Sequence, residues 1–114
     1  MDLVNEIFRL NEELTASIKL LRNNGIKFAE AESKYKLKLR EEALKLRAEK
    51  GMPVTLISQI IYGVPIVNEL RLKRDIAETT YNCNLEHINA TKLKIRILDA
   101  QISREWGASG KGDL

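Results

Sequence analysis

Apolar and small side chains recur every three or four residues through the second half of the chain, from Pro65 to Trp106. The stripe consists of Val67, Leu70, Ala77, Tyr81, Leu85, Ile88, Ile95, Leu98, Ile102 and Trp106, with Arg74 and Lys92 filling two gaps. A step of about 3.5 residues is the a/d pattern of an α-helix that packs along one seam, and a strand would alternate instead. Pro65 suits a first helical turn, and Gly107 commonly follows a last one. The pattern predicts one helix over residues 65–106 and a flexible tail at 108–114.

The first half of the chain carries a similar stripe, which starts after Asp2, a residue type that caps helices. Its members are Leu3, Ile7, Leu10, Leu14, Ile18, Leu21, Gly25, Phe28, Ala31, Tyr35, Leu39, Ala43 and Leu46. Asn23-Asn24-Gly25 is typical of a helix end, yet the stripe keeps its phase across it. Two interpretations stay open: one helix over residues 2–50, or two helices with a tight turn at residues 23–25. Because Gly25 lies on the stripe, its missing side chain would let another backbone come close.

The strongest breaks in the chain lie between the two stripes. Gly51 and Pro53 end the first helix. Thr55 is placed to cap a short apolar segment, Leu56 to Tyr62, which Gly63-Val64-Pro65 breaks. Two long arms joined by a short helical segment fold back on each other.

The predicted fold class is therefore all-α: a long, coiled-coil-like antiparallel helical hairpin forming a single domain over residues 1–107. Its arms are residues 2–50 and 65–106, and its helical elbow is residues 51–64.

Several large apolar residues lie off both stripes. They are Leu20, Ile26, Leu37 and Leu44 in the first arm, and Leu72, Leu93 and Ile97 in the second. Because two helices bury only one face of each other, we expect a homo-oligomer, most simply a symmetric dimer that forms a four-helix bundle.

Composition agrees with long helices and indicates the cellular compartment. The 114 residues make one domain, and 31% charged with only 5% aromatic residues suits a narrow seam better than a broad globular core. A single cysteine, Cys83, cannot form an internal disulfide, which fits a reducing compartment. The sequence has no secretion signal and no apolar run of membrane-spanning length, so we expect a cytoplasmic protein.

The sequence contains no recognisable catalytic or cofactor-binding set. Cys83 and His87 share a helix face, but two side chains cannot complete a zinc site. One histidine, one cysteine and no glycine-rich phosphate loop leave the usual nucleophile–base sets absent, so we predict no enzyme, no cofactor and no metal. The elbow has the outline of a helix-turn-helix, but Gln59 and Glu69 stand where that motif needs packing residues, which favours a structural cap.

Basic residues cluster near the elbow. A hairpin with Lys50 opposite Pro65 would bring together residues from both arms, with Glu41 or Glu42 facing Arg74. The resulting candidate polyanion site consists of Lys45, Arg47, Arg71, Lys73 and Arg74. With a net charge of +3, the chain permits nucleic-acid binding without strongly favouring it.

Several short sequence segments between residues 20 and 107 together resemble a group of small helical proteins encoded by phages and prophages of Gram-positive bacteria. They are Ala29-Glu30-Ala31-Glu32 with Tyr35, Leu46-Arg47-Ala48-Glu49, Gly51, Pro53-Val54-Thr55, Gly63, Leu70-Arg71, Arg74-Asp75-Ile76-Ala77-Glu78 with Tyr81, Lys92-Leu93, Arg96, Gln101-Ile102 and Arg104-Glu105-Trp106-Gly107. The resemblance implies a phage origin and a place in the cytoplasm of the infected cell. It carries no functional motif, so it assigns no site residues.

Two functions follow as expectations. The lack of a recognisable catalytic or cofactor-binding residue set and the long exposed helical faces favour a non-enzymatic interaction protein. Such a protein would be an adaptor or inhibitor that binds a protein partner in the infected cell. The basic cluster favours the alternative, a nucleic-acid-associated accessory factor in phage replication or recombination.

Overall fold

The computed structural model describes residues 2–113, with side chains described up to Gly107. It contains helix α1 over Leu3–Lys50, helix α2 over Val54–Ile60, a 3-10 turn over Ile61–Gly63, and helix α3 over Pro65–Asp113. No strand occurs in this part of the chain. Segments of α1 pack against antiparallel segments of α3, so the predicted all-α helical hairpin is confirmed.

Helix α1 runs through Gly25 without a break, which confirms the single-helix interpretation. Its N-terminus is capped as predicted, because the Val4 N–H donates to Asp2 Oδ1 at 3.0 Å. The expectation that another backbone lies against Gly25 is wrong. A Cβ placed on Gly25 would lie 3.2 Å from Cε1 of Tyr81, so the missing side chain makes room for an aromatic ring. That ring also packs on Phe28, with the ring centroids 6.1 Å apart.

The elbow begins and ends where the breaks predict. Gly51 has a φ of +60°, and the Met52 N–H donates to the Leu46 carbonyl at 3.3 Å, which satisfies one carbonyl at the end of α1. The expectation that Thr55 caps α2 is wrong. The N-cap is Pro53, whose φ of −61° and ψ of 146° start the helix at Val54 without a side-chain hydrogen bond.

Helix α3 extends to Asp113, beyond the predicted last residue Trp106. A glycine ends a helix by adopting a positive φ, as Gly51 does, and Gly107 does not adopt one. The predicted flexible tail, residues 108–114, lies outside the residues whose side chains are described.

The chain divides into two compact units, and the unit over Asn23–Tyr81 contains the elbow. Its core consists of Tyr35, Ile57, Ile61 and Val67, surrounded by the partly buried Leu39, Ala43, Leu46, Met52, Val64, Ile66 and Leu70. Residues of α2 and the 3-10 turn thus occupy the apolar face at the end of α1. In α3, Arg74 lies over the ring of Tyr35 and near Glu32, and not beside Glu41 or Glu42, where a simple fold-back at Lys50 would put it.

The other unit pairs the residues up to Arg22 with those from Asn82 onwards. Leu10 and Ile88 are buried here as predicted, but Ser17 and Thr91 are buried with them at 7% and 1% exposed. The Asn84 amide donates to the Ser17 carbonyl at 3.1 Å, and the Thr91 hydroxyl donates to the His87 carbonyl at 2.8 Å.

Three predicted seam members therefore lie on the surface. Ile18, Lys92 and Trp106 are all exposed. Ser17 and Thr91 lie one residue from Ile18 and Lys92, so the same spacing fits either choice. The Thr91 hydroxyl can be buried because it donates to a helix carbonyl.

Candidate functional site

More large hydrophobic side chains are exposed than buried in the described part of the chain. In the unit over Asn23–Tyr81, Ile26, Leu37 and Leu44 of α1 are 45%, 61% and 63% exposed. Their separations of 11 and 7 residues correspond to about three and two helical turns, so they share one face of α1. We call these three residues the α1 outer face.

Helix α3 also exposes large aliphatic side chains, namely Leu72, Ile76, Leu93 and Ile97. The exposure of Leu72, Leu93 and Ile97 agrees with their place off the predicted seam. Sequence reasoning missed Ile76 and, on α1, the 62% exposed Phe8. The exposure of Ile76 could have been predicted from its spacing, because it follows Leu72 by four residues and belongs to a second stripe on the same helix.

The five predicted polyanion-binding residues all have partners within the chain. Lys45 pairs with Glu42 at 3.5 Å and Lys73 pairs with Glu69 at 3.2 Å, while Arg47 donates to the Met52 carbonyl at 3.0 Å. The remaining two are Arg71 and Arg74, whose guanidinium groups lie 5.0 Å and 4.7 Å from the ring centroids of Tyr62 and Tyr35. The exposed ion pairs of Lys45 and Lys73 are weak and can exchange with an added anion.

Arg74 is the most enclosed of the five, with 19% of its side chain exposed. It binds Asp75 at 2.7 Å and lies 3.7 Å from Glu32, so the expectation that Glu41 or Glu42 faces it is wrong. Burial alone would lower the pKa of Arg74, but the hydrogen bond and charge of Asp75 leave that pKa raised. Arg74 is therefore a half-buried cation that Asp75 and Glu32 accompany within the chain.

The antiparallel packing brings Lys73 close to a different set of lysines from the predicted one. A surface cavity of about 140 Å³ is lined by Lys27, Glu30, Ala31, Lys34, Leu70 and Lys73. The contacts of Arg74 with Glu32 and Tyr35 give the same register. The local positive charge around Lys73 therefore comes from Lys27 and Lys34.

Cys83 and His87 do not come together with further ligands. Cys83 is an exposed free thiol, and His87 Nε2 lies 3.1 Å from Glu13 Oε1. Among the described residues, no group of three or more His, Cys, Asp or Glu side chains could hold a metal ion. No helix within residues 2–113 has a stretch apolar enough to cross a membrane.

Comparison with protein-family models, with curated proteins and with solved structures finds no match to this chain.

Proposed function

We propose that this protein is a non-enzymatic interaction protein that acts as an adaptor or inhibitor by binding a protein partner through the α1 outer face. The observation that carries the proposal is the exposure of Ile26, Leu37 and Leu44 on one side of a continuous helix. Aliphatic side chains in such a row are the anchors with which a helix binds an apolar groove. The likeness of residues 20–107 to phage-encoded helical proteins supports a phage origin and action in the cytoplasm of an infected cell.

The charges beside Leu37 indicate the kind of groove that would fit. Lys34 and Arg40 each lie three residues from Leu37, which places them on either side of it on the helix surface. Both are exposed. Glu41, four residues from Leu37, is also exposed, but it pairs with Lys38 at 3.1 Å. The proposed partner therefore offers an apolar groove with acidic side chains opposite Lys34 and Arg40, since opposite charges at the rim speed association and fix register.

Replacement of Leu37 with glutamine is expected to abolish capture of the partner. The change removes an anchor but leaves the net charge and the helix propensity nearly unchanged, so a loss of capture reports the apolar contact. We would immobilise the protein, expose it to nuclease-treated lysate of a Gram-positive bacterium with and without phage infection, and identify what is retained by mass spectrometry.

Leu20→Gln provides the matched control, because Leu20 is 55% exposed but lies away from the α1 outer face. Capture of the same protein by the wild type and by Leu20→Gln, but not by Leu37→Gln, supports the proposal. Equal capture by all three forms would show that the α1 outer face is not the binding surface.

A nucleic-acid-associated accessory role is the second candidate, and the cavity that contains Lys27, Lys34 and Lys73 favours it. These lysines provide positive charge from both helices, as a phosphate backbone requires. Glu30 lines the same cavity, and Glu69 pairs with Lys73. These two carboxylates reduce the positive electrostatic potential that would attract an anion. Any binding is therefore expected to be weak and independent of nucleotide sequence.

For this second candidate, we expect DNA binding that is measurable at about 50 mM salt and decreases by about 0.7–0.9 log units per log unit of salt for each phosphate contacted. Lys73→Glu combined with Arg71→Glu should abolish it, because both side chains are exposed and both belong to the candidate polyanion site. Fluorescence anisotropy with labelled single- and double-stranded DNA measures the effect, and circular dichroism checks that helicity is retained. Tight binding that persists near about 200 mM salt would instead make the nucleic-acid role the leading one.

A further inference from the structure

Helix α3 carries a second stripe with alternating steps of four and three residues, distinct from the seam that packs on α1. Its members are Leu72, Ile76, Thr79, Cys83, Glu86, Ala90, Leu93, Ile97 and Ala100, and every one of them is exposed. We call these nine residues the α3 outer stripe. A regular step of 3.5 residues is the pattern by which one helix packs along another over several turns.

The α3 outer stripe lies on the opposite side of the helix from the seam. Cys83 follows the seam residue Tyr81 by two positions, and Ala90 follows Ile88 in the same way. Two positions correspond to about 200° around a helix. The α1 segments that cover the seam therefore leave the α3 outer stripe uncovered.

We propose that the α3 outer stripe is a self-association surface, on which α3 of a second copy of this chain packs in antiparallel orientation. The geometry points to one register, in which Leu72 lies opposite Ile97 of the second copy and Ile76 lies opposite its Leu93. By the two-fold symmetry each contact occurs twice, so the large aliphatic residues meet at both ends of the stripe. The smaller Thr79 and Ala90 then meet each other between them.

A depression on the surface of α3 supports this register. It is lined by Asp75, Ile76, Thr79 and Thr80, and its surface is mostly apolar. In the proposed pair, Leu93 of the second copy lies directly over it. A side chain that enters a depression between residues of the facing helix is the packing unit of coiled coils.

Charge distinguishes the antiparallel pair from a parallel one. In the antiparallel register, Asp75, which also binds Arg74 of its own helix at 2.7 Å, lies beside Arg96 of the second copy, and two such opposite-charge contacts flank the stripe. A parallel pair would gain no opposite-charge contact at these flanking positions, and it would place the two Glu86 carboxylates directly against each other. The antiparallel register puts Glu86 opposite Cys83 instead.

Two features limit how tightly this surface can associate. Lys73 lies beside Lys94 of the second copy, although Glu69 pairs with Lys73 at 3.2 Å and reduces that repulsion. Glu86 at the centre remains a polar layer, which costs affinity but disfavours other registers. We therefore expect a dimer that forms at micromolar concentration.

Sedimentation equilibrium of the full chain tests the association. The wild type is expected to reach twice its monomer mass of 13.0 kDa, and Ile76→Lys is expected to weaken association by about 100-fold, because it puts a cation into two apolar layers. Ile76 is 57% exposed, so the helicity of the monomer should not change. Ile26→Lys is the matched control on α1 and should leave the dimer intact. A wild-type monomer at these concentrations, or dissociation by Ile26→Lys, would overturn the proposal.

Disulfide trapping tests the orientation. In a Cys83→Ser background, Ile76→Cys and Leu93→Cys are prepared as separate proteins, mixed and oxidised. The antiparallel register brings positions 76 and 93 of different copies within disulfide distance, so a mixed disulfide is expected and neither protein should cross-link by itself. Disulfides between identical variants would show a parallel pair and refute the register.

Charge reversal tests the flanking contact. Arg96→Glu is expected to weaken the dimer by about tenfold, because it replaces two attractions with two repulsions. Lys92→Glu makes the same change in net charge away from the stripe and serves as the control. Equal effects of the two variants would contradict the contact between Asp75 and Arg96.

Discussion

Replacement of Val67 with aspartate is expected to destabilise the unit over Asn23–Tyr81 by about 3–5 kcal/mol, since it leaves an unpaired carboxylate at a buried position. Val67 is 0% exposed and packs with Tyr35, Ile57 and Ile61. The free energy of unfolding of a small domain is about 5–15 kcal/mol, so this loss is a large part of it. Urea denaturation followed by far-UV circular dichroism measures the change.

Val54→Asp is the matched control for Val67→Asp. Val54 begins α2 and is 67% exposed, so a new carboxylate there stays in water near a helix N-terminus. Its effect should stay within about 0.5 kcal/mol. If the two variants unfold at the same urea concentration, the cluster around Val67 does not stabilise the elbow.

Removal of the Tyr35 ring is expected to have a comparable effect. Tyr35 is 6% exposed, and its ring fills the space between the apolar cluster and the Arg74 guanidinium. Truncation of a buried aromatic residue to alanine typically costs about 3–5 kcal/mol. Thermal and urea unfolding of Tyr35→Ala measure the loss of stability.

A second pair of tyrosine and arginine in the same unit provides the comparison. Tyr62 is 44% exposed, and Arg71 lies 5.0 Å from its ring centroid. Because both partners stay in contact with water, Tyr62→Ala should cost less than about 1 kcal/mol. A loss as large as that of Tyr35→Ala would show that the stacked arginine, and not the buried ring, provides the stability.

The candidate site was only partly predictable. Leu37, Leu44 and Leu72 were expected to be exposed from their position off the stripes, and they are. The neighbours of Lys73 were not predictable, because they depend on how far α3 is displaced along α1. A fold-back at Lys50 puts Lys45 and Arg47 beside Lys73, whereas the observed packing puts Lys27 and Lys34 there.

The sequence by itself determined the helices and most of the faces that they bury. Spacing in steps of three and four residues predicted α1 and α3, and the continuous phase across Gly25 agreed with one helix. Gly51 and Pro53 marked the start of the elbow, because positive φ and a fixed φ are local properties of those residue types. Helix periodicity is a local property of the chain, so it can be read without knowledge of any tertiary contact.

Only the tertiary structure decided the register between the helices and the choice between adjacent residues at the seam. Helix α2 covers the end of α1, so Arg74 meets Glu32 and not Glu41. Ser17 is buried instead of Ile18, and the carbonyl of Ser17 accepts a hydrogen bond from Asn84. The helical pattern repeats along each arm, so it fits several displacements equally well. Hydrogen bonds and side-chain volumes that meet across the seam select one of them.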